Sequence, residues 1–198
     1  MMKTRFYKKI YSHGDFYKSL VLMFRSIKHV RINRKKKLVS PQFKERIMLA
    51  VTEVNGCEAC SYMHTKLALE EGLSTQEIND ILGGELAGIP DQERVGILFA
   101  QHYADQKGKA SKKSWQRLID EYGREHAMVI LAMARVIQVG NIYGMAVSAI
   151  RDRFRGKPSG KTSLLYELSI IVLVFLYLPI AGIQALIEKI RRKTLDPF

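Results

Sequence analysis

One stretch near the carboxyl end of the chain carries no charge for twenty residues. It runs from Leu168 to Ile187 and reads LSIIVLVFLYLPIAGIQALI. At ~1.5 Å per residue, a helix of this length covers the hydrocarbon core of a bilayer. Pro179 lies inside the stretch and is tolerated in membrane helices. The sequence therefore favours a membrane-spanning helix, with a buried core helix and a re-entrant or in-plane segment as the alternatives.

Basic residues are concentrated at the two ends of the chain, whose formal net charge is +13. Residues 1–40 contain 12 Lys and Arg against one Asp, whereas residues 41–150 contain 11 against 14 acidic residues. Residues 16–31 have the pattern of a basic amphipathic helix, and the run 34–37 is entirely cationic. A basic terminal segment of this kind has three interpretations: it is simply solvated, it binds nucleic acid, or it binds a membrane surface. The apolar stretch favours membrane lipid and argues against nucleic acid.

The flanks of the apolar stretch predict its orientation. Five basic residues precede it within 151–161 and four follow it within 189–193. Together with the basic N-terminal arm, this small excess favours a membrane protein whose main domain lies on the cytoplasmic side. We predict three parts: a basic amphipathic segment at 1–39, an all-α domain at 40–156, and a linker, apolar membrane segment and basic tail at 157–198.

The middle of the chain has helical periodicity throughout and no convincing strand alternation. Ser40-Pro41 is a typical helix start, and Asn55-Gly56 is a typical stop. Further helices are expected at 57–71, 74–83, 90–103 and 111–122, and Gly123 separates the last of these from a long apolar helix at 124–151. The sequence thus predicts an all-α, six-helix bundle.

The chain has two cysteines, Cys57 and Cys60, and they are three residues apart. Such a pair closes too small a loop to staple a fold, so a redox pair or part of a metal site is the better interpretation. Both lie in the first turn of a predicted helix, where free N–H groups and the helix dipole lower a thiol pKa. His64 is one turn beyond Cys60 on the same face and can exchange protons with a thiol.

Glu45 is expected to meet His64 across a helical hairpin. Glu45 lies ten residues before Asn55, and His64 lies eight residues after Gly56. If the two helices are antiparallel, both side chains lie at nearly the same height above the turn. A hydrogen bond from His64 to Glu45 would then fix the imidazole tautomer and raise its basicity.

These residues carry a resemblance to a known family. Residues 40–150 resemble the carboxymuconolactone decarboxylase-like superfamily, and more specifically its alkyl hydroperoxidase D branch. The resemblance rests on the spacing Glu45-x11-Cys57-x2-Cys60-x3-His64 and on the later stretch MVILAMARVIQVGNIYGMAVSAI. It implies a peroxidatic dithiol with a proton relay for the matching residues, and a trimer-based homo-oligomer. Ala59 is a departure, because several members have a second His between the two Cys.

The sequence therefore predicts an enzyme, a membrane-associated thiol peroxidase or disulfide oxidoreductase. Its substrate would be a hydroperoxide or disulfide, its reductant an external dithiol, and no cofactor or metal would be needed. Cys60 is expected to attack because it is nearer to His64, and Cys57 to resolve, although the reverse assignment is open. The alternatives are an inert CxxC, a Cys₂His metal site with a fourth ligand, decarboxylase or lactone chemistry that does not need the dithiol, and a non-catalytic membrane scaffold or lipid-binding oligomer.

Overall fold

The computed structural model describes residues 6–198, and the regular structure in that range is entirely helical. The helices are α1 (His13–Lys36), α2 (Pro41–Asn55), α3 (Glu58–Glu70), α4 (Thr75–Gly83), α5 (Asp91–Asp105), α6 (Lys112–Phe154) and α7 (Leu164–Ile190). The predicted all-α class is confirmed. The six-helix count is not reproduced as such, because the two helices expected on either side of Gly123 form the single element α6. Gly123 interrupts it with a non-helical backbone, at φ 75° and ψ 158°.

Serine side chains start five of these helices by accepting a hydrogen bond from a backbone N–H of the first turn. They are Ser12, Ser40, Ser74, Ser111 and Ser163. In α2 the cap is Ser40 and the first helical residue is Pro41, and the helix ends at Gly56 in the left-handed region at φ 75°. The predicted bounds of α2 are therefore confirmed, and with them the hairpin turn that leads into α3.

Helix α6 is the centre of the molecule and packs against α1, α2, α3, α5 and α7. Its middle is buried on all sides, with Val129, Ile130 and Leu131 fully inaccessible. Helix α1 is longer than the predicted 16–31 and packs along α6 and α7, burying Phe16 and Leu20 completely. The predicted division into three parts stays a prediction.

Within residues 6–198, two helices are long and apolar enough to cross a membrane, and they differ in burial. The apolar part of α6 is 72% buried within the fold, as expected of a core helix, whereas that of α7 is only 17% buried. Helix α7 nevertheless packs against both α1 and α6. Membrane association and its sidedness stay predictions.

Candidate active site

The two cysteines lie where helix α3 begins, at the end of the hairpin turn. Cys57 is the N-cap residue, and its Sγ accepts a hydrogen bond from the backbone N–H of Cys60 at 3.2 Å. The two Sγ atoms form a disulfide. Because both sulfurs are at the positive end of the α3 dipole, the reduced pair would be favoured as a thiolate.

Glu45 and His64 meet across the α2–α3 hairpin. The Nδ1 atom of His64 is 2.8 Å from Glu45 Oε2, and the Nζ of Lys44 is 3.0 Å from the other carboxylate oxygen. Burial by itself raises the pKa of Glu45, but the hydrogen bonds from His64 and Lys44 outweigh it and hold that pKa below its usual value. An ionised Glu45 accepts a hydrogen bond from the Nδ1–H of His64, which leaves Nε2 free to exchange a proton with a ligand or thiol.

Cys60 opens onto an apolar pocket of about 420 Å³. His64 lines the same pocket, and Tyr143 contributes an aromatic side chain. The remaining lining side chains are almost all aliphatic or thioether groups, among them Met48, Met63, Val136, Ile137 and Val147. This lining suits an apolar ligand presented to a polar pair, Cys60 and His64.

Helix α6 forms one wall of the site through Gly140 and Gly144, which no sequence motif identified. A Cβ atom at Gly144 would lie 2.8 Å from the Sγ atoms of both Cys57 and Cys60, so only glycine lets α6 lie against the disulfide. The carbonyl oxygen of Gly140, one turn earlier, is 3.5 Å from Cys60 Sγ. In the sequence, the spacing of four residues between these glycines on one helix face could have indicated that another segment packs closely against α6.

The N-terminal segment, residues 6–9, packs beside Cys57, which lines a small cavity together with Phe6 and Lys8. The backbone N–H of Tyr7 donates to the carbonyl of Gly56 at 2.7 Å. Lys8 forms an ion pair with Glu53, one turn before Cys57. Cys57 is fully inaccessible, while Cys60 is 5% exposed.

Two further histidines and the tryptophan have local roles away from this site. The Nε2 atom of His102 accepts from the backbone N–H of Ser111, and His126 packs against the ring of Tyr122. Trp115 is buried in the core beside Phe99. Among residues 6–198, no group of three or more His, Cys, Asp and Glu side chains is placed to hold a metal ion.

The structure thus brings Glu45, Cys57, Cys60 and His64 together at one hairpin. Residues 25–87, about a third of the chain, match the model of the Carboxymuconolactone decarboxylase family, and this segment contains all four residues. No curated protein and no solved structure matches the chain. The match doesn't distinguish the alkyl hydroperoxidase D branch from the rest of the superfamily. The segment that carries the dithiol is thus similar to the carboxymuconolactone decarboxylase-like superfamily, in line with the resemblance seen in the sequence.

Proposed function

We propose that the protein is a dithiol peroxidase or disulfide oxidoreductase, reset by an external dithiol. One observation carries this proposal: the Cys57–Cys60 disulfide has one sulfur open to a pocket that it shares with a carboxylate-bound imidazole. The superfamily includes enzymes and alkyl hydroperoxidase D-like peroxidases, which is compatible with this chemistry.

In the proposed reaction, the Cys60 thiolate attacks the terminal oxygen of a hydroperoxide. The O–O bond breaks, Cys60 becomes a sulfenic acid, and the departing alkoxide takes up a proton and leaves as an alcohol. His64 removes the thiol proton through Nε2 and returns it to the leaving group, while Glu45 stabilises the imidazolium. The Cys57 thiol then displaces water from the sulfenic acid to form the disulfide, and an external dithiol reduces it to two thiols.

The pocket at Cys60 points to an organic hydroperoxide or an apolar disulfide as the substrate. Apart from Cys60, His64 and Tyr143, its side chains offer no hydrogen-bonding group to a polar ligand. A small polar oxidant such as hydrogen peroxide would gain little there, whereas an alkyl chain would bury its surface.

Stopped-flow oxidation of the reduced protein in detergent tests this proposal. We expect faster oxidation by an aromatic or long-chain hydroperoxide than by hydrogen peroxide, and loss of the reaction in Cys60→Ser. His102→Ala is a matched control, since it removes an imidazole outside the site. If wild type reacts no faster than a free thiol, the enzyme proposal is wrong and a non-catalytic scaffold or lipid-binding protein takes its place.

We also propose that the protein is a trimer-based homo-oligomer associated with membrane lipid, with the redox domain on the cytoplasmic side and no role for nucleic acid. Tyr62, Met63 and Val147 are exposed large apolar residues on α3 and α6, and a second copy would cover them. Light scattering in mild detergent tests the assembly, and a monodisperse monomer would contradict it.

A further inference from the structure

Helix α7 has a continuous apolar surface that nothing in residues 6–198 covers. Twelve of its large apolar side chains are exposed, the most open being Leu165, Phe175 and Ile190. Its opposite face packs on the fold through Ile170, Ala181 and neighbours. An exposed patch of this size on one helix marks a surface for protein or membrane.

Both ends of α7 are tied to the rest of the molecule. At its start, the guanidinium of Arg153 donates to both carboxylate oxygens of Glu167, at 2.6 and 3.0 Å. Near its end, Arg25 of α1 pairs with Glu188 at 2.9 Å and also donates to the carbonyl of Lys193. The helix therefore lies along the domain over its whole length.

The residues after α7 return to the domain instead of leading away from it. The buried Arg135 of α6 donates to the carbonyl of Leu195 at 2.8 Å, and Arg124 pairs with Asp196 at 2.8 Å. The carbonyl of Pro197 accepts from the backbone N–H of Ala110 at 2.7 Å. A helix that crossed a bilayer would place these residues on the far side and would break all three contacts.

A groove of about 450 Å³ runs between α1 and the end of α7. Its floor is apolar, with Phe24, Ile27, Ala185 and Leu186, and six cationic side chains surround it: Arg25, Lys28, Arg31, Lys189, Arg192 and Lys193. Arg25 and Lys193 are paired with Glu188. Within the described residues, the other four form no ion pair, so the groove presents unneutralised positive charge beside an apolar surface.

This charge distribution disfavours a second copy of the chain as the cover for α7. In a parallel pair of α7 helices, each groove would face the other groove. In an antiparallel pair, it would face the basic residues before α7, including Arg155 and Lys157. Either arrangement brings like charges together, whereas an anionic bilayer surface complements both ends of the helix.

We propose that α7 lies in the plane of the membrane interface, with its exposed apolar face among the acyl chains. The α1–α7 groove then binds the headgroup phosphate of an anionic phospholipid, and its apolar floor receives part of an acyl chain. This inference rests on the lipid association proposed above and is independent of the dithiol chemistry.

Vesicle flotation with the full chain tests the groove. The variant Lys28→Glu/Lys189→Glu and the control Lys66→Glu/Arg94→Glu each lower the net charge by four, and the control residues lie on α3 and α5, away from the groove. On vesicles containing phosphatidylglycerol we expect the groove variant to bind weaker by on the order of tenfold or more, and the control to bind like wild type. Equal binding by all three proteins, or an equal loss in both variants, would overturn the groove assignment.

Protease protection in sealed vesicles tests the in-plane placement. One epitope is inserted in the exposed turn between Ala87 and Gly88, and a second follows Phe198. In-plane placement puts both epitopes of a molecule on the same side, so protease removes both or neither. If α7 spans the membrane, protease removes one epitope from every molecule and leaves the other. That result would overturn the proposal. Peroxidase activity of the same samples in detergent is a separate readout, so failure of the membrane inference and failure of the enzyme proposal are distinguishable.

Discussion

The two cysteines of the disulfide line different cavities of the molecule. Cys60 opens onto the apolar pocket beside His64, whereas Cys57 is fully buried and lines a small cavity with Phe6 and Lys8. Only Glu58 and Ala59 lie between them, and both sulfurs meet α6 at Gly144. Cys60 nevertheless has the apolar pocket on its side, whereas Cys57 has the start of the chain on its side. A CxxC motif that is nearly symmetric in sequence thus becomes asymmetric through distant segments. We expect a corresponding division of labour, in which Cys60 meets the oxidant and Cys57 resolves.

The largest effect should come from replacing each cysteine in turn by serine. Cys60→Ser should abolish oxidation by hydroperoxide, because the sulfur in the pocket is removed. Cys57→Ser should permit one oxidation and leave a trapped sulfenic acid, because no partner thiol remains to condense with it. Labelling with dimedone followed by mass spectrometry distinguishes the two outcomes. A trapped sulfenic acid in Cys60→Ser and none in Cys57→Ser would reverse the assignment.

The next largest effect should come from the proton relay on the Cys60 side. His64→Ala and Glu45→Gln should each slow oxidation by on the order of 10²-fold, the usual contribution of a positioned proton-transfer group. If the two act as one unit, the double variant should be little slower than either single variant. Stopped-flow oxidation measures all three rates.

Two variants outside the site control this measurement. His102→Ala and Glu125→Gln change the same residue types. His102 bonds only to the backbone N–H of Ser111, and Glu125 bonds only to the exposed Lys36. Both should oxidise at the wild-type rate. If Glu45→Gln also did so while His64→Ala was slow, the 2.8 Å contact between Glu45 and His64 would have no part in proton transfer.

The close approach of α6 to both sulfurs can be tested with two glycines. Gly144→Ala should destabilise the fold by about 1–3 kcal/mol. The Cβ of the new alanine would lie 2.8 Å from each Sγ and would overpack the site. In Gly140→Ala the new Cβ meets only Ile137 Cδ1 at 3.9 Å, and alanine favours a helix by up to about 1 kcal/mol. That control should be neutral or stabilising in thermal unfolding followed by circular dichroism. Similar melting of the two variants would show that α6 shifts readily away from the disulfide.

The half of the site made by the α2–α3 hairpin could be predicted from sequence because local signals define it. Ser40 and Gly56 fix where α2 begins and ends, and counting residues from the turn then places Glu45 opposite His64. The roles of these residues in catalysis stay predictions. The packing of residues 6–9 beside Cys57 has no such signal, since Tyr7 and Gly56 meet through backbone atoms and are separated by almost fifty residues.

The two apolar helices show a second limit of sequence reasoning. Hydropathy and length favour a membrane span for α7, and α6 passes the same test although it is the core of the fold. Neither property reports which residues a helix packs against. The contacts of Glu167 and Glu188 with Arg153 and Arg25 lie just outside the uncharged stretch, and only the tertiary structure shows that both ends of α7 are held.

The smallest effect should come from loosening the N-terminal segment on the Cys57 side. Lys8→Ala removes the ion pair with Glu53, a partly exposed contact of the kind that contributes about 0.2–1 kcal/mol. If alkylation of Cys57 requires residues 6–9 to open, that loss should speed it by about 1.4- to fivefold. The measurement uses the reduced protein in a Cys60→Ser background, so that Cys57 is the single thiol, and follows iodoacetamide labelling over time. Lys36→Ala breaks a comparable pair with Glu125 far along α1 and should leave the rate unchanged. An unaltered rate in Lys8→Ala would mean that reagents reach Cys57 without moving the segment, and the contrast between the two sulfurs would then rest on the pocket and His64 alone.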